Sequence, residues 1–130
     1  MSEIGIGIVG GGYMGKAHSV AFSSVGAIFD TALRPRLEMV CASTAASSDR
    51  YRKAYGFRRA TEDWRVLVND PKVEAVVIAS PQDTHYDIAL AAFALGKPVL
   101  CEKPLAETVE KARAMTKAAQ DAAVANMMGF

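Results

Sequence analysis

Apolar residues along this chain switch between two periods: short runs that suit strands, and stripes spaced three to four residues apart that suit helices. Residues 4–9 (IGIGIV) form a β-branched run that stops at a glycine cluster, which reads as a buried strand. Beyond the glycines, Met14, His18, Ala21, Phe22 and Val25 fall on one face of a helix. Residues 26–36 are a polar, Pro-containing insertion, and residues 37–42 (LEMVCA) are the second strand. Ser47, Ser48 and Asp49 are N-cap options for a short helix that stops at Gly56. Phe57 opens a brief extended segment, Thr61 can cap the helix EDWRVLVN, and Asn69, Asp70 and Pro71 end it.

Residues 75–79 (AVVIA) are the cleanest buried strand in the chain. Thr84 with Asp87 forms a capping box ahead of a stripe of Ile88, Ala91, Ala92 and Leu95, which ends at Gly96. Residues 98–101 are the next strand. Val109, Ala112, Thr116, Ala119 and Ala123 then give a narrow small-residue face to a helix over residues 108–122, with Glu107 and Lys111 at the helix-supporting i, i+4 spacing. Residues 124–130 read as a last strand. Trp64 and Val68 read as core.

Strands that alternate with helices imply a parallel sheet covered on both faces, because a parallel connection needs a crossover long enough to hold a helix. The expected fold is α/β, a doubly wound parallel sheet in three layers, and 130 residues suit a single domain. In such sheets ligands bind beyond the carboxyl ends of the strands. Those places are residues 10–15, Ser43 and Thr44, Ser80 and Pro81, and Glu102, Lys103 and Pro104.

Composition narrows the function classes. A hydrophobic fraction of 51% and a mean hydropathy of +0.11 are apolar enough to fill a core. A net charge of +1 gives no field that would draw the chain onto nucleic acid or an anionic membrane. The apolar stretch over residues 89–95 is too short to cross a bilayer, and the N-terminus lacks the pattern of a secretory signal, so a cytoplasmic protein is expected. Cys41 and Cys101 have no metal-ligand spacing and read as buried reduced thiols, and no metal site is expected.

Gly10, Gly12 and Gly15 fit G-x-G-x-x-G directly between the first strand and the first helix, with Tyr13 and Met14 inside the candidate cofactor loop. Gly10 permits the tight turn, Gly12 lets the backbone approach a pyrophosphate, and Gly15 lets the helix pack close while its amides face the anion. A nicotinamide-adenine dinucleotide is therefore the expected ligand. A site that prefers NAD usually has an acid at the end of the second strand to bind the ribose 2′-hydroxyl. Here Ser43 and Thr44 stand there; they tolerate a 2′-phosphate, and Arg50 is close enough in sequence to pair with one. Asp49 argues for NAD, and the balance favours NADP slightly.

The segments GIVGGGYMGKAH and IASPQDTHYDIALAAFALGKPVLCEKPLAET together resemble the nucleotide-binding half of the glucose-fructose oxidoreductase and inositol dehydrogenase family, over the whole chain. The specific elements are Glu102-Lys103-Pro104 after the fifth strand and the segment from Ser80 and Pro81 to His85 after the fourth. The resemblance implies that Lys103 lies beside the nicotinamide and the reacting hydroxyl, where a buried ammonium can polarise the oxygen. It also implies that Pro81 and His85 line the cofactor groove with Ser80, while Glu102 and Pro104 shape the turn. His18 is expected to be held by packing or a backbone hydrogen bond.

Family members continue through a second, mainly antiparallel domain that supplies the substrate pocket, and the 130 residues contain none of it. The expectation is a cofactor-binding domain of an oxidoreductase that moves a hydride between a nicotinamide and a secondary alcohol of a sugar, polyol or inositol. The partner domain is expected to be needed for turnover, and a homo-oligomer is expected. The alternative is a stand-alone, non-catalytic nucleotide-binding or redox-sensing module.

Overall fold

Residues 2–130 are described by a computed structural model. The strands are β1 (Ser2–Val9), β2 (Leu33–Cys41), β3 (Arg59–Thr61), β4 (Ala75–Ile78), β5 (Val99–Glu102) and β6 (Asn126–Gly129). The helices are α1 (Tyr13–Ile28), α2 (Ala45–Tyr55), α3 (Trp64–Asn69), α4 (His85–Ala94) and α5 (Val109–Ala122), with a single 3-10 turn, Gln82–Thr84, ahead of α4. The sheet order is β3-β2-β1-β4-β5-β6 and every pairing is parallel. This is the doubly wound α/β fold that the alternating periods imply. The chain reverses its direction of travel across the sheet between β1 and β4, so a crevice opens at their carboxyl ends.

Alternation along the strands divides the core in two. Val76 and Ile78 of β4, with Val99 and Cys101 of β5, pack beneath α3, α4 and α5 against Leu67, Val68, Ile88, Phe93 and Met115. Ile6, Ile8, Val40 and Val77 pack on the other face against Phe22 of α1 and Tyr51 and Tyr55 of α2. Val68 is fully buried and Trp64 leans on the same cluster. Cys41 and Cys101 are buried free thiols, and burial pushes them up to about 11 and about 12. No helix among the described residues is long and apolar enough to cross a membrane.

Several local expectations are corrected. The stretch before the second strand is not an insertion: α1 runs to Ile28 and β2 already starts at Leu33. Pro35 is tolerated because β3 pairs only with Met39, Val40 and Cys41, leaving the outer side of Pro35 without a strand partner. The face of α1 turned to the sheet carries Gly15 and Ser19, whereas Met14 is 38% exposed and Ala21 is exposed. Small residues sit inward because this helix approaches the sheet closely.

The caps also move. Thr44 caps α2, its Oγ1 accepting from the Ser47 amide at 3.1 Å, in place of Ser47, Ser48 or Asp49. Asp63 rather than Thr61 caps α3, through the Arg65 amide at 2.9 Å. Thr84 has helical backbone angles and makes no cap bond, because the 3-10 turn runs straight into α4; Leu95, at the other end, is exposed. In α5 the buried residues are Met115 and Ala119, while Val109 and Thr116 face solvent. Gly56 ends α2 in the left-handed region at φ 84°, as expected.

Candidate functional site: a dinucleotide groove

The loop that joins β1 to α1 is shaped by its glycines. Gly10 has φ 101°, and a Cβ there would lie 2.5 Å from the carbonyl oxygen of Ala79. Its amide donates to the Cys41 carbonyl at 2.8 Å, which ties the turn to the end of β2. Gly15 is buried, and a Cβ would meet the Gly10 carbonyl at 2.0 Å. Gly12 is different: nothing lies within 4 Å of where its Cβ would be. The fold does not require Gly12 to be glycine, so the open space beside it is available to a ligand.

Two residues unforeseen in the sequence support this loop. Tyr55 donates its hydroxyl to the Gly11 carbonyl at 2.8 Å, and the Tyr51 ring lies against Gly11, where a Cβ would be 2.1 Å from it. The two rings stack with centroids 5.5 Å apart. Their i, i+4 spacing on α2 was the available signal.

A groove of about 650 Å³ runs along the carboxyl ends of β1, β2 and β4. Gly10, Gly12, Ser43, Ser80 and Pro81 line it, and Gly11, Ser47, Tyr51, Glu62 and Trp64 join them. The remaining expected residues are not among those that line it. Tyr13 is 87% exposed at the start of α1, and Thr44 is engaged as the cap of α2. Asp49 does not face the groove: Lys53 and Arg52 bind its carboxylate at 3.1 and 2.9 Å and hold it below the usual carboxylate range. Arg50 lies over the Tyr51 ring, 5.1 Å from its centroid.

His85 is buried at 1% exposure, and neither ring nitrogen is free. Nε2 lies 2.9 Å from the Ser80 carbonyl oxygen and Nδ1 lies 3.0 Å from that of Pro104. The imidazole thus joins the turn after β4 to the turn after β5, and Gln82 adds a bond from Nε2 to the Ala106 carbonyl at 2.9 Å. The Lys103-Pro104 peptide is cis.

Glu102 is 9% exposed, and its Oε1 accepts from His18 Nε2 at 2.8 Å, so His18 is held by a carboxylate rather than by packing or a backbone group. Lys103 differs from the buried ammonium expected. Its side chain is exposed and, among the described residues, carries no ion pair or hydrogen bond. Its amide donates to the Gly129 carbonyl at 3.2 Å, which fixes the backbone from which the ammonium projects.

A glycine turn that opens a helix at the switch point of a doubly wound sheet, with an open groove beside it, defines a dinucleotide-binding Rossmann domain. Residues 4–130 match the family model described as "Oxidoreductase family, NAD-binding Rossmann fold" (GFO_IDH_MocA), and the chain belongs to that family. It is 39% identical over 132 residues to levoglucosan dehydrogenase from Pseudarthrobacter phenanthrenivorans, covering 100% of this chain and 34% of that protein. It is 40% identical over 106 residues to inositol 2-dehydrogenase from Acidothermus cellulolyticus, covering 82% of this chain and 29% of that protein. A solved structure of levoglucosan dehydrogenase in complex with NADH superposes with a TM-score of 0.94 at 36% identity, covering 97% of this chain and 34% of that one. The chain spans about a third of the length of the relatives it matches.

Proposed function

We propose that these residues form the cofactor half of an oxidoreductase that moves a hydride between a nicotinamide dinucleotide and a secondary alcohol of a sugar, polyol or inositol. Gly12 carries the reading. It is the one glycine of the fingerprint whose Cβ position is empty, as expected where a backbone must come within reach of a pyrophosphate. Gly10, Gly12, Ser43, Ser80 and Pro81 would hold the dinucleotide along the groove, with the amides at the start of α1 facing its phosphates. The bound nicotinamide supplies the hydride acceptor or donor.

Lys103 is the catalytic residue in this reading. Its ammonium, free at the end of β5, would donate a hydrogen bond to the substrate oxygen and stabilise the negative charge that develops there. Glu102 and Pro104 set the turn from which it projects, and His85 fixes that turn against Ser80. The substrate pocket would come from a second domain. Holding an alcohol at near-attack distance accounts for about 7–11 kcal/mol of a barrier, which one open groove does not provide. At the ribose end, the Ser43 hydroxyl would admit a 2′-phosphate while the Glu62 carboxylate would oppose one.

Trp64 lines the groove and is the only tryptophan of the sequence, so its emission reports occupancy. Saturable quenching by reduced cofactor is expected. No turnover of levoglucosan or inositols is expected from the 130 residues alone. Turnover that disappears in Lys103→Ala would assign the whole reaction to these residues and refute the need for a second domain. Absence of quenching by any nicotinamide dinucleotide would refute the cofactor site.

A further inference from the structure

We propose that Glu62 takes the part of the acid missing from the end of β2. Its carboxylate sits at the start of α2, where a 2′-phosphate would otherwise bind, and it accepts the adenosine ribose 2′-hydroxyl, so that the groove prefers NAD to NADP. This rests on the dinucleotide reading above and adds the choice between the two cofactors.

The ribose of a dinucleotide in this fold is read beyond the end of the second strand. Here that place is Ser43, followed by the first turn of α2, whose amides would be natural partners for a phosphate. Two of those amides are already engaged. Glu62 Oε2 accepts from the Ala45 amide at 3.1 Å, and Thr44 Oγ1 accepts from the Ser47 amide at 3.1 Å. Glu62 arrives from the turn after β3, distant in sequence from β2 but adjacent in the sheet. It lines the groove together with Ser43, Ser47 and Tyr51.

Its second oxygen, Oε1, has no hydrogen bond among the described residues. It therefore remains an acceptor for a hydroxyl, while the negative charge repels a phosphate at the same place. Among the nearby cations, Arg52 and Lys53 are committed to Asp49, Arg59 to Glu38 and Asp70, and Arg50 lies on the Tyr51 ring, while Arg58 shares the neighbouring groove with Glu62.

The test is Trp64 quenching of the 130-residue protein by NADH and by NADPH, with the parent and with Glu62→Gln. Glutamine keeps an acceptor for the Ala45 amide, so α2 starts unchanged, and an unaltered melting temperature checks this. The parent should bind NADH at least tenfold more tightly than NADPH. Glu62→Gln should narrow that ratio at least fivefold, with NADPH gaining affinity. A parent that prefers NADPH overturns the proposal, most plainly if the preference disappears in Arg50→Ala. A ratio that Glu62→Gln leaves unchanged overturns it as well. Binding of neither cofactor by the parent instead refutes the dinucleotide site itself, and this proposal with it.

Discussion

His18 Nε2 donates to Glu102 Oε1 at 2.8 Å, joining the second turn of the helix that follows the glycine loop to the segment that carries Lys103. Both side chains are largely shielded, at 17% and 12% exposure. The carboxylate is also confined from the other side: a Cβ on Gly129 would lie 2.7 Å from Oε1. The pair therefore fixes the spacing between the glycine loop and the turn that carries Lys103.

Replacing His18 with Ala should loosen that connection. A largely buried hydrogen bond to a carboxylate contributes about 1–2 kcal/mol, and the variant leaves Glu102 shielded without its donor. Urea denaturation of His18→Ala should show a loss of that size, and Glu102→Gln, which can still accept, should lose less. Equal stability of His18→Ala and the parent would mean that the pair contributes nothing.

The glycines of the loop should separate into two classes. Gly12→Val meets open space, so it should fold with an unchanged melting temperature and lose at least tenfold in affinity for NADH, because the side chain occupies the ligand's side. Gly15→Val would drive a side chain into the Gly10 carbonyl and should be destabilised by several kcal/mol or fail to fold. Calorimetry of both variants, with and without cofactor, checks this. An unfolded Gly12→Val would show that the loop needs that glycine for its own packing.

Much of this arrangement is legible in the sequence, for identifiable reasons. Residues 75–79 and the run before Gly10 announce buried parallel strands because both faces of the sheet are covered, so no polar alternation interrupts them. The glycine fingerprint is local, and local geometry dictates it. Misplaced caps have a common origin: Thr44, Ser47, Ser48 and Asp49 are all good cap residues, and only the point where β2 ends selects Thr44. The face of α1 is misread because a hydrophobic stripe points to large residues, whereas close packing against β1 puts Gly15 and Ser19 inside. His18 with Glu102, and Glu62 with Ala45, are tertiary contacts between distant segments, which no residue spacing encodes.

Stability should fall in acid through Asp70. Arg59 binds this carboxylate with both guanidinium ends, at 2.7 and 2.8 Å, and holds it down at about 2. A carboxyl lowered on folding adds stability above its unfolded value, near 4, and loses it as pH falls from there toward about 2. Arg59 is 39% exposed, so solvent screening limits the contribution to about 1 kcal/mol. Urea midpoints between pH 7 and pH 3 should converge for the parent and Asp70→Asn as pH falls. A constant difference across that range would assign the effect to hydrogen bonding rather than to charge.

His85 should matter more for the nicotinamide end of the groove than for the adenosine end. Its ring is the common partner of the Ser80 and Pro104 carbonyls, so it holds the turn beside the groove against the turn that presents Lys103. The end of the groove beside β2 is built separately, from Ser43, Ser47 and Tyr51. His85→Ala leaves both carbonyls without their partner and opens a cavity at a site that is 1% exposed, at a cost of about 2–4 kcal/mol. His85→Gln keeps one donor, should cost less, and serves as the folded variant. In that variant NADH affinity should fall at least threefold while ADP-ribose, which lacks the nicotinamide, binds as it does to the parent. Equal losses for the two ligands would mean that His85 supports the groove as a whole and does not set the turn that presents Lys103.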